Sequence, residues 1–295
     1  MSIGIIGAGK WGSALAFALG KNNDVFLTSR TPRNIENFVS FEEILECEYL
    51  VITVPAQQIR KWLEDNFVFK GQKVLVASKG IEAKSGKFLN EIYEKYVPSN
   101  NIAFLSGPSF ASEVMQSLPT ALVINSLNEV LCQEFSKFFP SFIKTYTSQD
   151  VVGAEVAGAY KNVIAIAAGI CSGLQLGNNA AAALISRGLV EMERFGAAYG
   201  AKKETFLGLS GAGDLFLTAS STMSRNFRVG LGLAKQQTQE EILKELGEVA
   251  EGIGTAYALH DISVEQDLYL PIATEVYFML EGKSPKESLK DLLTH

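Results

Sequence analysis

Three groups of residues have the types and spacing to do chemistry. The first is Gly7-Ala8-Gly9-Lys10-Trp11-Gly12, which follows an apolar stretch at 3–6 and leads into a helix-like stretch at 13–19. In a strand–loop–helix setting Gly7 permits the tight turn and Gly9 lets a pyrophosphate reach the backbone. Gly12 lets the helix lie close to the strand. The free N–H groups and positive dipole end of that helix then face the phosphates. This arrangement is a dinucleotide-binding fingerprint. The next apolar stretch ends at Thr28-Ser29-Arg30. A carboxylate there would accept hydrogen bonds from the ribose of NAD, whereas Arg30, with Arg33 nearby, can pair with a 2′-phosphate. NADP is therefore favoured and NAD stays open, the alternative for Arg30 being a solvated surface charge. Trp11 either covers the cofactor or packs.

The second group centres on Lys161. Its helical neighbours at three and four positions are Ala157, Gly158, Ile164 and Ala165, all small or apolar. A lysine on such a face is either desolvated, with its pKa lowered toward the range useful for proton transfer, or snorkels to solvent. The third group is a set of polar residues at turns. Asp214 lies in the glycine turn LSGAGDL, as a helix cap or a site carboxylate. Ser224-Arg225-Asn226, with Arg228 beyond, suits a phosphate or decorates a surface. Lys79 and the run Gly107-Pro108-Ser109-Phe110-Ala111 each follow an apolar strand. That is the end of an open α/β sheet where ligands bind.

The elements that would position these groups alternate along the first half. Apolar strand-like runs occur at 3–6, 25–28, 50–54, 74–77, 103–105 and 121–124, and a last strand candidate, 143–146, closes the region. Helix-like stretches lie at 13–19, 41–47, 58–66 and 86–96. Strands apolar throughout and separated by helices indicate a doubly wound, mainly parallel sheet of the Rossmann type. After Asp150 the stretches 156–174 and 180–199 are rich in Ala and Gly, show no strand alternation, and read as buried helices. The expected division is a dinucleotide-binding domain at 1–150 and an all-helical substrate domain at 151–295.

Composition bounds the rest. The 295 residues, 47% hydrophobic with 18 Phe, can bury a substantial core and are not a disordered polymer. A net charge of −6 argues against nucleic acid while allowing a local cationic pocket. Cys47, Cys132 and Cys171 lack CxxC partners and read as reduced cytosolic thiols. His260 and His295 are too few for zinc, and no metal is expected. The first strand leaves no room for a secretory signal, and the run 151–171 carries Glu155 and Lys161 and falls short of a clean membrane span. A cytoplasmic protein is expected, with the apolar helices of the second half favouring a homodimer.

These residues carry a resemblance. The stretches GAGKWGSALA (7–16), ASKGIE (77–82), LSGPSFASEV (105–114), EVAGAYKNVIAIAAGI (155–170), GLSGAGDL (208–215), SRN (224–226) and EVAEGIGTA (248–256) run in order across nearly the whole chain. Together they resemble the NAD(P)-dependent glycerol-3-phosphate dehydrogenases of the bacterial type. The resemblance implies hydride transfer between a nicotinamide and the dihydroxyacetone phosphate/glycerol 3-phosphate pair, with Lys161 as general acid/base and Asp214 orienting it. It places substrate contacts on Lys79, Gly107, Ser109, Lys161, Asp214, Ser224, Arg225 and Asn226. Cofactor contacts fall on the glycine loop (Gly7, Gly9, Lys10, Trp11, Gly12) and on Arg30, Lys79, Ala111, Arg225, Val249 and Glu251. It further implies a role in phospholipid head-group synthesis. Ketopantoate reductase and the 3-hydroxyisobutyrate dehydrogenases share the plan but not GPSFA, KN and GAGDL in this order. A non-catalytic NADP-binding sensor would keep residues 7–12 and have no use for Lys161.

Overall fold

The computed structural model describes residues 2–294. Nine strands form first: β1 (Ser2–Ile6), β2 (Asp24–Thr28), β3 (Tyr49–Ile52), β4 (Lys73–Val76), β5 (Ile81–Glu82), β6 (Lys87–Phe88), β7 (Ile102–Ser106), β8 (Thr120–Asn125) and β9 (Ile143–Ser148). Among them lie α1 (Lys10–Leu19), α2 (Phe41–Ile44), α3 (Ala56–Asn66), α4 (Leu89–Tyr93), α5 (Ala111–Val114) and α6 (Glu129–Ser136). The rest is helical: α7 (Val151–Gly173), α8 (Gly177–Ala198), α9 (Lys203–Leu207), α10 (Asp214–Ala219), α11 (Arg225–Ala234), α12 (Gln239–Leu246), α13 (Glu251–Glu265), α14 (Pro271–Leu280) and α15 (Pro285–Thr294). A π-helical turn, Leu209–Gly213, leads directly into α10.

Seven strands make one sheet in the order β2-β1-β3-β4-β7-β8-β9. Successive residues of each strand serve opposite faces, as the period of two requires. Ile3, Ile5, Val51, Leu75 and Ala103 enter one core cluster, whereas Ile6, Leu50, Ile52, Val76 and Phe104 enter the other. Burial on both faces is why these strands read as unbroken apolar runs. All seven expected strands are present, and the fold is the expected Rossmann-type α/β sheet followed by helices.

The structure refines four local expectations. β8 runs antiparallel to β7, and β9 is parallel to β8, so the last two strands oppose the first five. The helix expected over 86–96 begins only at Leu89, because Lys87–Phe88 pairs with Ile81–Glu82 in a two-stranded hairpin turned by Gly86 at φ +66°. The Glu91 carboxylate then accepts from the Phe88 N–H and starts α4. The helix expected over 41–47 is a single capped turn ending at Ile44. Lastly, the stretch 180–199 is helical but not buried all round: α8 buries one face through Gly188, Glu191, Met192, Phe195 and Gly196.

α7 is the opposite case, with every residue from Gly153 to Cys171 buried. It is long and apolar enough to cross a membrane, yet 89% of its most apolar window is buried within the protein, as a core helix would be. Its small residues admit neighbours at backbone distance. A Cβ on Gly230 of α11 would stand 2.0 Å from the Ile166 carbonyl oxygen, and one on Gly169 would stand 2.0 Å from that of Phe227. Neither backbone can yield, so Gly230→Ala is expected to cost about 3 kcal/mol of stability, measured by chemical unfolding. A variant as stable as wild type would show that the two helices can separate without penalty.

Candidate active site

The glycine loop joins β1 to α1 with the geometry its residues require. Gly7 adopts φ +112°, a region closed to side-chain-bearing residues. Its N–H donates to the Thr28 carbonyl at 2.8 Å, tying the loop to the end of β2. A Cβ on Gly12 would lie 1.8 Å from the Gly7 carbonyl oxygen, whereas one on Gly9 would meet nothing within 4 Å. Gly12 is thus a packing residue and Gly9 an opening. The Thr53 hydroxyl, which sequence reasoning missed, donates to the carbonyls of Ile6 and Gly7 at 3.1 and 3.0 Å and holds the turn.

This loop forms one wall of a cleft of about 710 Å³, a volume suited to a cofactor and a small substrate. Lys10, Trp11, Lys79, Ser109, Ala111, Lys161, Asp214, Ser224, Arg225, Asn226, Val249 and Glu251 all line it, with Gly9 and Gly12. The order of the chain explains the convergence. Lys79 follows β4, Ser109 and Ala111 follow β7, Lys161 projects from α7, Asp214 opens α10, and Ser224 to Asn226 open α11. Three expected contacts lie outside the wall. Gly7 is structural. Gly107, at φ +103°, offers its carbonyl oxygen to Lys79 Nζ at 3.2 Å. Arg30 is exposed just past the end of β2.

The charged centre is compact. Asp214 accepts from Lys161 Nζ through Oδ1 at 2.7 Å and from Lys79 Nζ through Oδ2 at 2.6 Å. Thr218, one helical turn after Asp214, accepts a third bond from Lys161 Nζ at 3.1 Å. The snorkelling alternative for Lys161 is excluded, because its side chain is buried against this carboxylate. Burial drives the Lys161 pKa down, Asp214 restores part of the loss, and the like charges of Lys79 and Arg225 lower it again, leaving it at about 8. Burial raises Asp214, but its two lysines outweigh that and hold its carboxyl below the ordinary value. The result is an ammonium poised near neutrality beside a fixed carboxylate.

The remaining residues divide between lining and support. Asn226 is engaged on both sides: its Nδ2 donates to Asn162 Oδ1 at 2.8 Å and its Oδ1 accepts from Gly252 N at 2.9 Å. It thereby locks α7, α11 and α13 together at the cleft. Ser224 caps α11 by accepting from Phe227 N. The Trp11 indole donates to the Ala77 carbonyl at 3.0 Å, so it is anchored at the cleft wall. At the rim Glu248 accepts from Lys10 Nζ at 2.5 Å and from Arg225 Nη1 at 3.4 Å.

The cleft fits a dinucleotide on three observations. Gly9 leaves open space at the helix N-terminus. Ser78 Oγ, Glu251 Oε2 and Arg228 Nε are closed off from water without a partner among the described residues. Each of these three residues lines the cleft. Burial raises the Glu251 carboxyl to about 7, partly offset by Arg225. Such orphaned atoms are uncommon in native proteins, and the polar groups of a dinucleotide are of the kind that would pair with them. Among the described residues no group of three His, Cys, Asp or Glu side chains is placed to hold a metal. His260 stacks on Tyr277, and His295 lies outside the described residues.

Comparison with known proteins agrees with this architecture. The N-terminal and C-terminal family patterns of NAD-dependent glycerol-3-phosphate dehydrogenase match residues 27–132 and 150–290. The chain is 72% identical over 293 residues to a glycerol-3-phosphate dehydrogenase [NAD(P)+] of Sulfurimonas denitrificans, covering 99% of both chains. It is 61% identical to the same-named protein of a Nitratiruptor species, covering 99% of this chain and 98% of that one. The crystal structure of glycerol-3-phosphate dehydrogenase from Coxiella burnetii superposes with a TM-score of 0.92 at 32% identity, covering 100% of this chain and 99% of that one. With both family patterns matched and relatives aligned end to end, this chain belongs to the NAD-dependent glycerol-3-phosphate dehydrogenase family.

Proposed function

We propose that this protein is an NAD(P)-dependent glycerol-3-phosphate dehydrogenase that interconverts dihydroxyacetone phosphate and sn-glycerol 3-phosphate. The observation that carries the reading is the buried Lys161–Asp214 pair at 2.7 Å, at the wall of a cleft that also holds the glycine loop. Family membership sets aside the ketopantoate and hydroxyisobutyrate alternatives, and a sensor would have no use for this pair.

A dinucleotide held with its diphosphate at the glycine loop would supply or accept the hydride at C2 of the substrate. The chain's own residues handle the proton and the charge. During reduction Lys161 gives the Nζ proton to the carbonyl oxygen as it becomes a hydroxyl, and during oxidation neutral Lys161 takes that proton back. Asp214 fixes the direction of Nζ and stabilises its charged form. Lys79, Arg225 and Ser109 offer donors to the substrate's phosphate, and Glu251 accepts from the nicotinamide end of the cofactor. Arg30 reads the 2′-phosphate of NADP from the end of β2.

The proposed organisation is a cofactor domain at 1–150 and a substrate domain at 151–295, in a cytoplasmic homodimer whose product enters phospholipid head-group synthesis. The purified protein is expected to oxidise NADH or NADPH when given dihydroxyacetone phosphate, followed by loss of nicotinamide absorbance. No oxidation with either cofactor would refute the activity. Arg30→Ala is expected to raise KM for NADPH about tenfold and leave NADH nearly unchanged. Equal loss with both cofactors would show that Arg30 does not read the 2′-phosphate.

A further inference from the structure

We infer that Arg228 is a further cofactor-binding side chain, one that takes the diphosphate of the dinucleotide beside Arg225; the inference rests on the dinucleotide reading above. Arg228 lies three residues after Arg225 on α11, so both guanidiniums project from the same side of the helix. Both line the cleft. The difference between them is in their partners. Arg225 already donates to Glu248, while Arg228 Nε is shielded from water and has no acceptor among the described residues. A guanidinium cannot lose its proton to escape that situation. The Arg228 side chain thus lines the cleft while carrying a donor that no acceptor among the described residues takes up.

The surrounding charges identify the class of that acceptor. Glu248 marks a spot where negative charge is favoured. It bonds to Lys10 at 2.5 Å and to Arg225 at 3.4 Å, and Arg228 adds to the field that holds its carboxyl below the ordinary value. Its Oε1 accepts from Lys10 and its Oε2 from Arg225, and Arg228 Nε is not among its donors. Three cations around one carboxylate leave an excess of positive charge at this end of the cleft. Lys10 directly follows Gly9, the open position of the glycine loop. The excess therefore lies at the phosphate-binding turn. At the other centre, Lys161 and Lys79 are both bonded to Asp214. A planar guanidinium matches the oxygens of a diphosphate two at a time.

The test separates this role from contact with the substrate's phosphate. Binding of NADPH and of ADP-ribose, which keeps the diphosphate but lacks nicotinamide, is measured by fluorescence titration and displacement for wild type, Arg228→Gln and Arg228→Lys. Arg228→Gln is expected to weaken both ligands about tenfold or more, and Arg228→Lys about threefold, since an ammonium keeps the charge but not the fork. KM for dihydroxyacetone phosphate at saturating NADPH is expected to stay as in wild type. Unchanged binding of both ligands in both variants would overturn the inference. So would a raised KM for the ketone with cofactor affinity intact, which would move Arg228 to the substrate's phosphate. If the Gln variant does not fold, the Lys variant carries the same comparison, and wild-type affinity in it overturns the inference. A wild-type protein that binds neither ligand would overturn the dinucleotide reading and this inference with it.

Discussion

Lys161→Ala is expected to lower kcat about a thousandfold or more while NADPH binding stays as in wild type. The size of the effect follows from position. Lys161 Nζ is the group that Asp214 and Thr218 hold in place, and no histidine lines the cleft to replace it. Without it the forming alkoxide lacks the acid aimed at it by Asp214. The proposed cofactor contacts are on the glycine loop and the rim, so binding measured by fluorescence should not change. Lys161→Met, which fills nearly the same volume, separates loss of the proton donor from loss of packing. Turnover near the wild-type rate in either variant would remove Lys161 from the chemistry.

Asp214→Asn is expected to be damaging in two measurable ways. Asp214 is buried and its two carboxylate oxygens each hold one lysine ammonium. Removing the charge leaves the buried Lys161 and the half-buried Lys79 without their shared carboxylate, which should cost about 3 kcal/mol of stability. It should also lower kcat, because Asp214 is the group that raises the Lys161 pKa against the effect of burial. Without it the lysine becomes neutral at lower pH. Reduction, which needs the protonated form, should then fail first on the alkaline side. Alkaline loss at the same pH as wild type would mean that the two residues are not coupled.

Much of this site was legible because its residues sit next to strong local signals. The glycine loop follows the first apolar strand, Lys161 stands on an all-apolar face, and Asp214 ends a glycine turn. Whereas β9, IKTYTS, buries only Ile143, six of the seven sheet strands were legible because burial on both faces makes them largely apolar. Their direction was not, since the reversal between β7 and β8 depends on how the connecting segment packs, and an apolar run carries no record of that. The second strand of the hairpin, β6, falls within the stretch that reads as a helix because two residues are too few to show alternation. Thr218 could have been found, lying four residues after Asp214 and thus one turn away on the same helix face. Thr53 and Glu248 could not, because each acts on residues far away in the chain: Thr53 on Gly7 and Glu248 on Lys10. The small residues of α8 suggested burial on all sides, but small side chains only permit close packing, and α8 uses it on one face.

The claim at the centre of this account is that a desolvated lysine, held by Asp214, moves the proton. Its most direct test is the pH dependence of kcat/KM for dihydroxyacetone phosphate in the reduction direction, with NADPH saturating. The sign is fixed by the role: the acid must be protonated, so activity should fall as pH rises through about 8, the value to which burial brings Lys161. Oxidation of glycerol 3-phosphate, which needs the neutral amine, should rise through the same value. Opposite limbs meeting near 8, both displaced to lower pH in Asp214→Asn, are the predicted result. Profiles that show no break near 8 in either direction, or that bend the same way in both, would contradict the assignment of Lys161 as acid and base.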